Sequence, residues 1–79
     1  MRLDKYLKVS RLIKRRTVAN EACGNARISV NGKPAKASYD VKVGDQIEIA
    51  FGSRTLKVEV LAVAEAVRKD DASAMYKEI

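Results

Sequence analysis

The sequence predicts an α+β fold in which two N-terminal helices pack on a small antiparallel sheet and a short helix ends the chain. Three observations predict it. Apolar residues recur at helical spacing up to Gly24, the period switches to two after Ala26, and helical spacing returns beyond Arg68. With 79 residues the chain has the size of one small domain, and 47% hydrophobic against 33% charged residues supplies enough apolar surface for a core.

Leu3, Tyr6 and Leu7 fall at i, i+3 and i+4, so they share one side of a first helix whose other sides display Arg2, Lys5 and Lys8. Ser10 through Arg16 reads as a connection with Leu12 and Ile13 turned inward and Arg11, Lys14, Arg15 and Arg16 outward. Thr17 is the expected N-cap of a second helix, since its hydroxyl can accept a backbone N–H of the next turn. Val18, Ala19, Ala22 and Cys23 form the apolar stripe of that helix, and Gly24 ends it. Ile28 and Val30 then alternate with Arg27 and Ser29 as a strand, and Asn31-Gly32 supplies the positive φ angles of a tight turn. Asp40 to Asp45 is a second connection. Ile47, Ile49 and Phe51 alternate with polar neighbours, Gly52-Ser53 reverses the chain, and Leu56, Val58 and Val60 complete a hairpin with one apolar face. The two helices are expected to cover that face, which would place Tyr6 and Phe51 in the core. In the tail, Ala72, Met75, Tyr76 and Ile79 stand at helical spacing behind Asp70-Asp71, acids suited to a helix start.

Charge divides the chain. Residues 1–36 hold ten bases against two acids, a net +8, while residues 37–79 hold six bases against eight acids, a net −2. Such a block reads as a binding face for an anion, nucleic acid before membrane. Lys14-Arg15-Arg16 also precede a helix start, where backbone N–H donors suit phosphate. Material for catalysis is thin. The chain has no His, Asp70 and Asp71 are adjacent and so diverge on a helix, and Cys23 sits on an apolar stripe as a buried hydrophobe would. A lone Cys excludes an internal disulfide and a Cys/His zinc set, and a reducing, cytoplasmic setting is expected, with no cofactor. The charged N-terminus argues against a signal peptide, and no apolar run approaches a membrane span. Aromatic residues are 5% of the chain, and with Tyr6 and Phe51 assigned to the core a stacking platform is disfavoured relative to shape and phosphate readout of folded RNA.

Arg2-Leu3-Asp4-Lys5-Tyr6-Leu7, then Arg16-Thr17 leading into the helix of Ala19, then Arg27-Ile28-Ser29-Val30-Asn31-Gly32-Lys33-Pro34-Ala35-Lys36, then Val43-Gly44-Asp45-Gln46-Ile47 resemble the RNA-binding domain named after small-subunit ribosomal protein S4. The resemblance covers residues 1 to about 50. It implies two helices on a small, strongly bent antiparallel sheet, with a basic helix face and the following turn docking on structured RNA. The chain then reads as one S4-type domain over 1–79, with a motif core at 1–50 and a hairpin strand and C-terminal helix at 51–79. By the same resemblance Arg2 and Arg16 match the RNA-contacting arginines, Asp4 an acid that orients a neighbouring base, and Lys33 follows the turn as in the family. The remaining candidate RNA ligands are Lys5, Lys8, Arg11, Lys14, Arg15 and Lys36. Ala26 stands where the family commonly has Gly, which leaves the aim of Arg27 open.

The domain is often appended to RNA-modifying enzymes or to tyrosyl-tRNA synthetases, and 79 residues leave no room for such a partner domain. Within the family the chain is most similar to short, stand-alone members of ribosome-associated quality control, relatives of the fifteen-kilodalton heat-shock protein. That resemblance implies a factor on large ribosomal subunits obstructed by peptidyl-tRNA, and with no catalytic set in the sequence a non-catalytic monomer is expected. It would touch rRNA and tRNA while a tailing factor extends the stalled chain. The rivals are assembly of the large subunit, a protein-interaction module using the acidic C-terminal half, and a membrane-surface module. The last is disfavoured because the core needs the apolar side of the first helix.

Overall fold

A computed structural model describes residues 1–65 and 67–79. Helix α1 (Leu3–Val9) is followed by a turn and helix α2 (Arg16–Gly24), and then by strands β1 (Ile28–Val30), β2 (Lys33–Pro34), β3 (Gln46–Phe51) and β4 (Arg54–Val60). A 3-10 helix (Lys69–Met75) and strand β5 (Tyr76–Glu78) end the chain. The strands form one antiparallel sheet in the order β2-β1-β3-β4-β5. The expected α+β fold is what the chain adopts.

Period-two burial puts Ile28 and Val30, Ile47 and Ile49, and Val58 and Val60 on one face, where they meet Leu3, Tyr6, Leu7, Ala19 and Cys23 of the helices. Each large aliphatic side chain removed from water there contributes about 1.5–3 kcal/mol. Asn31 and Gly32 both have positive φ (52° and 85°), the geometry of a type I′ turn, and they join β1 to β2 as the dipeptide predicts. The Asn31 side chain also reaches across, donating from Nδ2 to Asp45 Oδ1 (3.1 Å) and accepting the Gln46 N–H (3.0 Å). Asp45 Oδ2 takes the Tyr39 hydroxyl (3.0 Å) and the Lys42 N–H (3.0 Å). This network ties the turn to the start of β3.

The connection from residue 35 to 45 clamps the beginning of α1. Leu3 N–H donates to the Tyr39 carbonyl (2.8 Å), Asp4 N–H to the Ala37 carbonyl (3.2 Å), and Val41 N–H to the Met1 carbonyl (2.8 Å). The N-terminal ammonium adds an ion pair to Asp40 (2.6 Å).

Four expectations are corrected. Helix α2 begins at Arg16 with an extended Arg15 before it and no side-chain cap, so Thr17 is not the N-cap. A Thr cap is worth about 1 kcal/mol, and a start at Arg16 instead puts Arg16 and Asn20, one turn apart, against Asp4. Val18 leaves the apolar stripe and is exposed, while Ala19 and Cys23 are buried. Phe51 is likewise exposed, because α2 runs beside the tip of the β3–β4 hairpin and leaves an open groove between Phe51 and its own Val18 and Ala22. The tail is helical only to Met75: Ala72 and Met75 are buried at the i, i+3 spacing that a 3-10 helix aligns. From Tyr76 the chain pairs with β4, with Val60 opposite Tyr76 and Val58 opposite Glu78, which satisfies an otherwise open strand edge.

Candidate nucleic-acid interface

Asp4 organises the site. Its side chain is 3% exposed, at the start of α1, and its carboxylate receives four groups. Arg2 donates from Nε to Oδ1 (3.2 Å) and from Nη2 to Oδ2 (3.4 Å), Arg16 from Nε to Oδ2 (3.3 Å), and Asn20 from Nδ2 to Oδ2 (3.4 Å). The Lys5 backbone N–H completes the set at Oδ1 (2.8 Å). Burial by itself raises the Asp4 carboxyl, but the hydrogen bonds from Arg2, Asn20, Arg16 and the Lys5 amide prevail and hold it below its ordinary value. It therefore stays ionised, as two guanidinium groups require.

Both arginines are gripped by part of the guanidinium and stay half-exposed, at 51% for Arg2 and 48% for Arg16. The remaining N–H groups are free to engage a phosphate or a base edge bidentately, in an orientation the carboxylate fixes. Arg2 comes from the residue before α1 and Arg16 from the first residue of α2, fourteen positions apart in sequence and both bonded to Asp4. Asn20 is the participant the sequence reading missed. Its i, i+4 spacing from Arg16 was the available signal, but an Asn inside a helix has too many other uses to be singled out.

The other candidates divide by place. Lys8, Arg11 and Lys14 line one groove together with Val9 and Val67, at and beyond the C-terminal end of α1. Arg11 turns the chain there with φ of 63°. Lys33 and Lys36 line a different groove, beside Asn31 and Tyr39. Ala37, next to Lys36, carries the carbonyl that accepts the Asp4 N–H. Arg15 is exposed between the two helices. Lys5 differs from the rest, because its ammonium pairs with Glu65 of the C-terminal half and holds that carboxyl below its ordinary value. Among the described residues, Lys8, Arg11, Lys14, Arg15, Lys33 and Lys36 have no carboxylate partner within 4.0 Å. On β4 and β5, by contrast, Lys57 pairs with Glu48 (3.6 Å) and Lys77 with Glu59 (4.0 Å), so those two charges are spent inside the molecule.

Burial and the nearby Asp4 charge both push the Cys23 thiol up, which disfavours the thiolate. Among the described residues no three His, Cys, Asp or Glu side chains gather as a metal site would require. Among those residues no helix is long and apolar enough to cross a membrane.

Comparison with known protein families matches residues 1–47 to the S4 domain. The chain belongs to the S4 domain family. The RQC P-site tRNA stabilizing factor of Streptococcus pneumoniae is 58% identical over 77 residues, covering 98% of this chain and 88% of its own length. The protein of the same description from Bacillus subtilis is 53% identical over 76 residues, with 96% and 88% covered. The trimeric structure of Vibrio cholerae heat shock protein 15 superposes with a TM-score of 0.93 at 29% identity, over 100% of this chain and 81% of that one. The S4 match takes in both helices, β1 and β2 and ends as β3 begins, so it contains Asp4, both arginines and the Asn31–Asp45 contact. Strand β4, the 3-10 helix and β5 lie beyond it, and similarity to the bacterial relatives continues through them.

Proposed function

We propose that this chain is a non-catalytic RNA-binding factor of ribosome-associated quality control. It binds rRNA and tRNA on large ribosomal subunits obstructed by peptidyl-tRNA, steadies that tRNA, and so supports a tailing factor that extends the stalled chain. The observation that carries this reading is the pair of half-exposed arginines aimed by one buried carboxylate, accompanied by Lys8, Arg11, Lys14, Arg15, Lys33 and Lys36, which have no carboxylate partner among the described residues. The relatives described as stabilizing tRNA in the P site support the choice of ligand. The chain acts as a monomer in the cytoplasm, with the whole of 1–79 as one domain.

Holding is electrostatic in this mechanism. Five to seven phosphate contacts would release counterions on binding, so log K should fall with log salt at a slope of about −4 to −6. Sedimentation tests the role. The protein should comigrate with mature large subunits that carry peptidyl-tRNA, and its deletion should impair tailing of stalled chains while initiation and elongation continue. Recovery only on immature particles would instead mark it as an assembly factor.

A further inference from the structure

A groove between α2 and the tip of the β3–β4 hairpin contains neither Asp4 nor the two arginines it holds, and shares Lys14 with the candidate ligands above. Leu12, Val18, Ala22 and Phe51 line it, and Lys14 and Arg27 share that lining. Val18 is 48% and Phe51 46% exposed, so two large apolar side chains meet water at one place on a small molecule. The charges in the groove's lining are of one sign. The groove's lining holds no acid, Arg54 stands opposite Phe51 in the hairpin register, and among the described residues Lys14, Arg27 and Arg54 have no carboxylate within 4.0 Å. Arg27 is placed here by its backbone: Ala26 turns the chain with φ of 57°, and the Arg27 carbonyl accepts the Ala50 N–H (2.9 Å). Lys14 also lines the groove of Lys8 and Arg11, which makes the two grooves neighbours.

We propose that this groove is a nucleotide pocket in which an unpaired RNA base stacks on Phe51 beside Val18 and Ala22, while Lys14, Arg27 and Arg54 hold the flanking phosphates. An aromatic face with cations at its rim matches the two surfaces of a nucleotide, the flat base and the charged backbone. A folded protein partner would need about 20–30 residues a side, far more than this groove offers. The proposal rests on the RNA-binding reading above and adds to it a second point of contact, on the opposite side of α2's first turn from any role given to Asp4.

The test uses the full chain and purified large subunits carrying peptidyl-tRNA. Phe51→Ala should bind about 5- to 150-fold more weakly, the usual range for losing one stacked base, with the salt slope unchanged because no phosphate contact is lost. Phe51→Trp should bind as the wild type does. Phe51→p-benzoylphenylalanine, irradiated on the subunits, should cross-link to an RNA nucleotide. Because Phe51 is exposed, its replacement should leave the unfolding midpoint in place. Wild-type binding by Phe51→Ala, while Arg16→Ala is impaired, would overturn the pocket and leave the RNA-binding reading standing. Cross-links to protein alone would make the occupant a peptide and overturn the proposal, and failure of the wild type itself to bind would remove both readings.

Discussion

The two ends of α1 carry the same kind of charge in different states of order. At its start, Arg2 and Arg16 are held by a buried carboxylate that leaves each guanidinium half in solvent. At its other end, Lys8, Arg11 and Lys14 are gathered around a groove with no acid to aim them. The first arrangement gives direction and the second gives field. A fixed fork discriminates geometry, whereas cations that no carboxylate orients neutralise whatever phosphate lies near.

If that contrast is correct, the largest loss of RNA affinity follows from the aimed pair. Arg2→Ala and Arg16→Ala should each cost about 1–3 kcal/mol in retention on large subunits without disturbing the fold. Lysine at either position should restore only part of it. Wild-type retention by both alanine variants would make the carboxylate a purely structural anchor.

Next comes Asp4→Asn, which keeps the shape and removes the charge. Binding should weaken through the arginines, so the same change should matter less in an Arg16→Ala background, a coupling that a double-mutant cycle reads. Folding should lose about 1–3 kcal/mol. The pH dependence has a definite sign. The folded Asp4 lies below its ordinary value of 3.8, so its contribution is complete above that value and is lost as pH falls through the lower, folded one. Acid titration of stability should therefore be flatter in Asp4→Asn than in the wild type, and parallel curves would contradict the hydrogen-bond set described here.

Lys8→Ala, Arg11→Ala and Lys14→Ala should act more weakly and more evenly, each reducing the salt slope by about 1 for every RNA tried. A variant that altered preference between RNAs would move that residue into the aimed class. The smallest effect is on stability alone. Ala26 occupies the left-handed region, which costs a residue with a Cβ about 1–2 kcal/mol, and Ala26→Gly should recover a few tenths to about 1 kcal/mol after the entropy of Gly is counted. Thermal unfolding measures it.

Local chemistry explains which parts of this were legible in the sequence. The Asn31-Gly32 turn, the strands around Ile28, Ile47 and Val58, and the apolar side of α1 follow from spacing and φ preference, and each of these elements is present. The α2 start was misread because its decisive contact is to Asp4, twelve residues upstream of Arg16. Phe51 has the right parity for the core but faces an open groove beside α2, and parity carries no information about how closely a helix packs at a strand's end. Tyr76 and Ile79 fit a helical period by coincidence, since a free strand edge outweighs propensity in a segment of three residues. As for the site, Arg2, Asp4 and Arg16 were readable as a motif, whereas the buried carboxylate joining them is a product of tertiary packing.

One buried contact sets a condition on how the protein is made. The Tyr6 hydroxyl donates to the Met75 carbonyl (2.7 Å) across sixty-nine positions, burial pushes that phenol well above its ordinary value, and Met75 is itself in the core. A chain released from synthesis after β4 would have every residue of the S4 match but a phenol facing the core with no acceptor, and a bare strand edge at β4. The basic face, legible in residues 1–36, thus gains its support only once Met75 has been made, so copies terminated after β4 should be aggregation-prone chains, poor at competing for the RNA that the longer chain holds.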